Sequence, residues 1–154
     1  MNTYSCRYLK GARLKVFLAV ANRIIPEDSD SPAGGTLQTA GVVDWALQRM
    51  PPDLRKRFLF FFSVINFLGF FFGGKRFFNC TPESQDRLLR WLENAPVSKI
   101  RMGFFGVKTY ICMGYYTRED IWPTFKYNGP VLKDRSYADP VIRKLCTGEM
   151  EVSA

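Results

Sequence analysis

Apolar residues recur at helical spacing along most of this chain, and the first run of them predicts a helix. Its later members lie three, four, seven and eleven residues beyond the first, which places all of them on one helical face. They are Leu14, Phe17, Leu18, Ala21 and Ile25. Pro26 ends this helix because proline cannot donate the amide hydrogen bond of an interior helical position. The acidic, serine-rich and glycine-rich residues 27–35 are typical of a loop.

A second apolar stripe over residues 42–50 stops at Pro51 and Pro52, and a third helix is predicted to begin near Asp53. Over residues 58–72 this helix is apolar on all sides apart from Ser63, Asn66 and Gly69. Helices of that kind lie in the centre of a protein or in a membrane. Because the run is about fifteen residues and a membrane span needs about 20, the sequence favours a buried central helix. The pair Gly73-Gly74 is expected to end it.

A fourth helix has a clear start signal in Thr81 and Pro82. Threonine is a preferred N-cap residue, and the fixed φ angle of proline suits the first helical position. Pro96 ends this helix. Its buried face is predicted to consist of Leu88, Leu89 and Leu92.

A fifth helix is predicted over residues 98–113, followed by a brief helix around Trp122. Gly103 and Gly106 lie inside the fifth helix, where glycine is unfavourable, so they indicate close approach by another backbone. Residues 117–120 resemble a capping signal for the brief helix.

The helical pattern fades after residue 130, and no repeat or sustained strand alternation is present. The sequence therefore predicts an all-α fold, a compact bundle of about five helices with an irregular, extended C-terminal segment. We expect residues 1–130 to form the helical domain and residues 131–154 to form a tail that packs on a partner.

The chain offers little material for catalysis or metal binding. It contains no histidine, which removes the usual general base and the commonest metal ligand. Its four cysteines are far apart and form no CxxC pair, so a zinc site or a redox dithiol is not supported. Reduced, buried thiols are favoured, and one or two disulfides in an oxidising compartment are the alternative. Glu119 and Asp120 are adjacent, and helix capping explains them without an acid–base role. We therefore expect no catalytic and no metal-binding residue. The cysteines are Cys6, Cys80, Cys112 and Cys146.

Two segments imitate ligand-binding loops. Residues 69–76 contain the glycine and lysine of a phosphate-binding loop, but Arg76 replaces its Ser/Thr and the segment follows a helix instead of a strand. Asp28 and Asp30 begin like a calcium loop whose glycine and bidentate glutamate are then missing. The first segment is interpreted as a helix end, and the second as a solvated loop.

The charge of the chain indicates an acidic partner. Its formal net charge is +8, with a pI near 9.5, which suits an acidic protein, an anionic membrane or a nucleic acid. The basic residues are scattered apart from two small clusters, at residues 55–57 and at Lys75 and Arg76. Nucleic-acid binding is therefore not favoured, because it usually requires basic residues concentrated on one element.

Aromatic residues make up 16% of the chain, and a dense group of them lies among turn residues near the end of the fifth helix. Rings with polar tips at such positions suit a surface that packs on another protein. A satellite core beneath the C-terminal loop is an equally good interpretation of the same pattern. The candidate partner-binding residues are Tyr115, Tyr116, Trp122, Tyr127, Gly129 and Pro130.

The order of several short motifs resembles the gluconate 2-dehydrogenase subunit 3 family. These motifs are residues 23–26 before the acidic loop, residues 40–45, residues 74–77, residues 81–85, residues 114–117, Ile121 with Trp122, and residues 127–130. The resemblance spans residues 14–130. Lys126 differs from the family, where a glycine often precedes the tyrosine.

The resemblance implies a small accessory subunit bound to a large FAD-dependent dehydrogenase of the glucose–methanol–choline type. FAD would lie in that large subunit and no cofactor in this chain, and a cytochrome c subunit would often accept the electrons. Any membrane contact would be indirect. Family members often carry a twin-arginine leader; residues 1–12 have none, which favours the cytoplasm, or the periplasm after export with the partner. The alternative hypothesis is a basic membrane-associated helical protein built around residues 58–72, which would anchor a redox complex.

Overall fold

The computed structural model describes residues 3–130 and 138–153. Within these ranges the chain forms six α-helices, two 3₁₀-helices and one two-stranded sheet. The predicted all-α fold is therefore confirmed, with six α-helices instead of about five. The elements are β1 (Thr3–Ser5), α1 (Gly11–Ile24), α2 (Leu37–Arg49), α3 (Pro52–Gly73), a 3₁₀-helix (Phe77–Asn79), α4 (Pro82–Glu93), α5 (Ser98–Tyr116), a second 3₁₀-helix (Glu119–Phe125), α6 (Pro140–Thr147) and β2 (Glu151–Ser153).

The helix boundaries follow local capping chemistry. Helix α1 ends two residues before Pro26, as predicted. Helix α2 begins earlier than its apolar stripe because Thr36 caps it, accepting a hydrogen bond from the amide of Thr39 at 3.2 Å. Helix α4 begins behind the predicted cap Thr81, whose hydroxyl accepts from the Ser84 amide at 3.4 Å. The short helix expected around Trp122 is the second 3₁₀-helix.

Helix α3 is not the fully buried central helix that the sequence favoured. It packs against α1, α4 and α5 through Phe58, Phe62 and Ile65, while its opposite side has no neighbour among the described residues. By length and composition α3 could cross a membrane, and only 22% of its apolar stretch is buried. The prediction fails because a small domain has too few elements to surround a 22-residue helix on every side.

The end of α3 requires its glycines. Gly74 has a φ of 68°, the left-handed conformation of a typical C-cap. The chain then folds back so closely that a Cβ on Gly69 would lie 2.4 Å from the backbone nitrogen of Phe77. The glycines that resembled a phosphate-binding loop therefore belong to a tight helix end.

The glycines of α5 differ from their prediction. A Cβ on Gly103 would lie 2.8 Å from the ring of Phe61, so this glycine makes room for a side chain instead of a backbone. A Cβ on Gly106 would meet no atom within 4 Å. The close contact of α5 is made by Gly114 further along, where a Cβ would lie 2.6 Å from Val43 of α2.

The C-terminal segment is not irregular over residues 140–153. Helix α6 begins at Asp139, whose carboxylate accepts a hydrogen bond from the Val141 amide at 2.8 Å. Strand β2 pairs in parallel with β1, with Thr3 opposite Glu151. Leu145 packs against Val42 of α2, so this part of the predicted tail lies on the chain's own helix. Residues 131–137 of that tail lie outside the described residues.

A buried carboxylate, which no local sequence pattern indicated, fixes the N-terminal segment. Asp44 on α2 is fully buried. It accepts hydrogen bonds from the Tyr4 hydroxyl at 3.0 Å and from the amides of Arg7, Tyr8 and Leu9 at 2.7–2.9 Å. Such bonds compensate the loss of hydration of the charged group. Asp44 therefore holds the segment after β1 over α2.

Candidate partner-binding surface

Several of the predicted partner-binding residues meet at the C-terminal end of α5. The rings of Trp122 and Tyr127 are in edge contact, with centroids 5.2 Å apart. The indole nitrogen of Trp122 donates to the carbonyl of Tyr116 at 3.0 Å. Gly129 has a φ of 90°, and a Cβ there would lie 3.1 Å from the Trp122 ring. Pro130 is half-buried and borders the same rings.

Tyr115 does not belong to this surface. It is fully buried, and its hydroxyl donates to the carbonyl of Pro32 at 2.7 Å. Burial also raises the pKa of this phenol above its ordinary value. Tyr115 is therefore buried beside the loop that precedes α2, while the adjacent Tyr116 is exposed, because neighbouring residues on a helix point in different directions.

The surface includes one ring that the sequence analysis did not select. Phe125, at the end of the second 3₁₀-helix, is half-exposed and makes an edge contact with Tyr116 at a centroid distance of 5.4 Å. We refer to Tyr116, Trp122, Phe125 and Tyr127 as the aromatic loop surface. A sequence signal existed, since Phe125 lies between the two short motifs at Trp122 and residues 127–130.

Arg118 holds the aromatic loop surface against the rest of the domain. The residue is buried, and its guanidinium donates to the hydroxyls of Thr36 at 2.7 Å and Thr39 at 3.1 Å, at the start of α2. The same guanidinium binds both carboxylate oxygens of Asp120, one of them at 3.0 Å. The rings are therefore presented on a fixed backbone.

Two shallow hollows flank these rings, each of about 330 Å³. One lies between Trp122, Tyr127 and Glu119. The other lies between the rings and α6, and it is bordered by Pro130 and Ala138, the two ends of the segment that is not described. Over residues 3–130 and 138–153, no three acidic, cysteine or histidine side chains converge to hold a metal ion.

A second apolar surface lies on the outer side of α3. Phe60, Phe67 and Phe71 are 67%, 61% and 73% exposed, and the half-buried Val64 lies between them. We call these four residues the phenylalanine face. Their spacing of four, seven and eleven from the first places them on one helical side. Large exposed apolar patches of this kind indicate an interaction surface.

A third hollow, of about 340 Å³, is lined by charged groups that pair with each other. Arg23 binds both oxygens of Asp86 at 2.6 and 2.7 Å, and Lys108 binds Glu93 at 2.6 Å. The hydrogen bonds from Arg23 hold the pKa of Asp86 below its ordinary value. The ion pairs that line this hollow therefore join α1, α4 and α5.

The chain matches no family model, no curated protein and no solved structure at a significant level. Any functional proposal therefore rests on the residues of the chain itself.

Proposed function

We propose that this chain is a non-catalytic accessory subunit that binds a larger folded protein through the aromatic loop surface. The observation that carries the proposal is a group of half-exposed rings whose positions are already fixed. Tyr and Trp are the residues that contribute most to protein interfaces. Rings held by Arg118 and by the Trp122 hydrogen bond lose little further freedom on binding, which favours affinity.

The chemistry of the Cys6 thiol gives no support to a catalytic role for this residue. A catalytic cysteine needs a lowered pKa so that the thiolate forms near neutral pH. Burial, assisted by the nearby Asp44 carboxylate, raises the pKa of the Cys6 thiol to about 12. Cys6 therefore remains a protonated, unreactive core residue.

The partner proposed for this surface is a FAD-dependent dehydrogenase of the glucose–methanol–choline type. This part of the proposal rests on the motif order described above, three of whose motifs lie in residues 114–130. In such a complex the large subunit would hold FAD and oxidise the substrate, and a cytochrome c subunit could accept the electrons. The small subunit would stabilise its partner by about 2.7 kcal/mol when present at a hundred times its Kd.

The experiment is a pull-down of the tagged full chain from its native cells. We expect a co-purifying protein of larger mass with yellow flavin absorbance. Trp122→Ala should reduce its recovery more than about tenfold, since central interface rings contribute about 2 kcal/mol or more each. Phe105→Ala, which removes a more exposed ring on α5, is the control and should leave recovery unchanged. Recovery of a partner without flavin would reject the dehydrogenase, and equal recovery with Trp122→Ala would reject the surface.

A further inference from the structure

The phenylalanine face has no role in the accessory-subunit proposal, and its surroundings identify a different kind of partner. We propose that α3 lies flat on a membrane that carries anionic lipids, with this face inserted at the boundary between headgroups and acyl chains. The inference does not rest on the proposed function, because it concerns another surface and can be tested without any protein partner.

The geometry fits a helix that lies in the plane of the membrane. Helix α3 has 22 residues, which corresponds to about 33 Å of length. Its inner side is anchored in the core, where the Phe62 ring lies 6.0 Å from Phe17 of α1 and 5.4 Å from Phe58. Crossing the bilayer would separate α3 from α1, α4 and α5, whereas lying on the surface leaves those contacts intact.

The charge distribution favours an anionic surface. Lys56 and Arg57 lie at one end of α3, and Lys75 and Arg76 follow its other end. The side chains of these four residues make no hydrogen bond or ion pair to any described residue, so they are available to phosphate groups. Their neighbour Arg55 differs, since its guanidinium donates to three carbonyls at the end of α2. The chain has no acidic residue from 54 to 82 that would repel lipid phosphates.

A groove beside the face could receive a lipid headgroup. It has a volume of about 280 Å³ and lies between α1 and α3, with Arg13 and Arg76 among its lining residues and Phe67 and Phe70 along its apolar side. The Asn66 side chain also lines it, and its buried Oδ1 has no hydrogen-bond partner among the described residues.

The same charges disfavour a second copy of the chain as the occupant. Two copies would each bring a net charge of +8. Joined through the phenylalanine face, they would place Lys56, Arg57, Lys75 and Arg76 of both copies around one apolar contact. Like charges at that distance repel, while an anionic membrane attracts each of them.

The test is sedimentation of the full chain with phosphatidylcholine vesicles, with and without phosphatidylglycerol. We expect binding to the anionic vesicles that weakens as salt rises, and at least tenfold weaker binding to phosphatidylcholine alone. Phe71→Glu should reduce binding to anionic vesicles more than about tenfold, and Lys56→Glu by about fivefold or more. Phe105→Glu, at an exposed α5 position, is the matched control. Circular dichroism would verify that each variant is folded.

Four results would overturn the inference. One is failure of the folded chain to bind anionic vesicles at low salt. Another is unchanged vesicle binding by folded Phe71→Glu. The third is concentration-dependent dimerisation without vesicle binding that Phe71→Glu abolishes, because this would assign the face to a second copy. Loss of flavoprotein capture by Phe71→Glu, with no vesicle binding by the wild-type chain, would assign it to the protein partner instead.

Discussion

The two apolar surfaces of this domain differ in how firmly their side chains are held. The aromatic loop surface has polar-tipped rings, and Trp122 is hydrogen-bonded to Tyr116 over a backbone anchored by Arg118. The phenylalanine face consists of bare side chains on a regular helix, flanked by unpaired basic residues. Fixed rings with hydrogen-bond donors suit a folded protein of defined shape, whereas an apolar helical stripe without polar groups suits the fluid surface of a membrane. Rigidity and polarity, more than hydrophobicity, therefore distinguish the surface proposed to bind a protein from the surface proposed to bind a membrane.

The largest effect is expected from Gly69→Ala, which should break the phenylalanine face. The new Cβ would collide with the backbone at Phe77, so the end of α3 must shift together with Lys75 and Arg76. We expect a loss of about 3 kcal/mol or more in the free energy of unfolding, measured by urea denaturation. Gly106→Ala is the control, since a Cβ there meets open space; it should stabilise α5 by up to about 1 kcal/mol. Equal effects of the two substitutions would contradict the described turn.

The second largest effect is expected at Arg118, whose substitution should disrupt the aromatic loop surface. Arg118→Met removes the donors to Thr36, Thr39 and Asp120 and should lower the free energy of unfolding by about 2–3 kcal/mol. Partner capture should fall while vesicle binding stays unchanged, because α3 does not contact Arg118. Arg90→Met, at an exposed position of α4 whose side chain makes no hydrogen bond or ion pair to a described residue, is the control and should alter neither property. A parallel loss of vesicle binding would mean that the two surfaces are not independent.

A smaller effect is expected at Gly129, whose substitution should perturb the aromatic loop surface without unfolding the domain. Gly129→Ala places a side chain at a φ of 90° and 3.1 Å from the Trp122 ring, so the turn should relax at a cost of about 1 kcal/mol. We expect weaker flavoprotein capture and a thermal midpoint lowered by only about 2–4 °C. Gly148→Ala also has a left-handed φ but lies away from these rings, which makes it a matched control. Equal capture by both variants would mean that the turn at Gly129 does not position the Trp122 ring for binding.

The smallest effect concerns a contact outside both surfaces. Because Arg23 lowers the folded-state pKa of Asp86, the ion pair stabilises the protein above the unfolded-state pKa of about 3.9. That stabilisation is lost as pH falls through the lower folded-state value. The pair is largely solvated, so the change should stay below about 1 kcal/mol. Urea denaturation of Asp86→Asn from pH 6 to pH 2 should show a shallower decline than the wild type; an identical decline would contradict the assignment.

The sequence predicted the helices best where capping chemistry marked their ends. Thr81 with Pro82 and Gly74 gave boundaries that the structure confirms. It could not tell which side of α3 lacks a neighbour, because a helix that is apolar all round carries no orientation signal. It also left α6 out, although Asp139 before Pro140 is a readable start signal.

The candidate surface was predicted in part. The sequence pointed to a segment in which the structure exposes Tyr116, Phe125 and Tyr127, but it could not separate the buried Tyr115 from the exposed Tyr116. That choice depends on the exact rotation of α5 against α2. The roles of Asp44 and Arg118 depend on partners 35–40 and 79–82 residues away, and no local pattern reveals such contacts.

The parallel pairing of β1 with β2 has a consequence for biosynthesis. Thr3 is translated long before its strand partner Glu151, which lies 148 residues further along the chain. Until then β1 has only the Asp44 anchor and offers an unpaired edge, the type of backbone that aggregation and proteolysis select. A nascent or truncated chain that lacks residues 151–153 would therefore expose the unpaired strand β1 to aggregation and proteolysis.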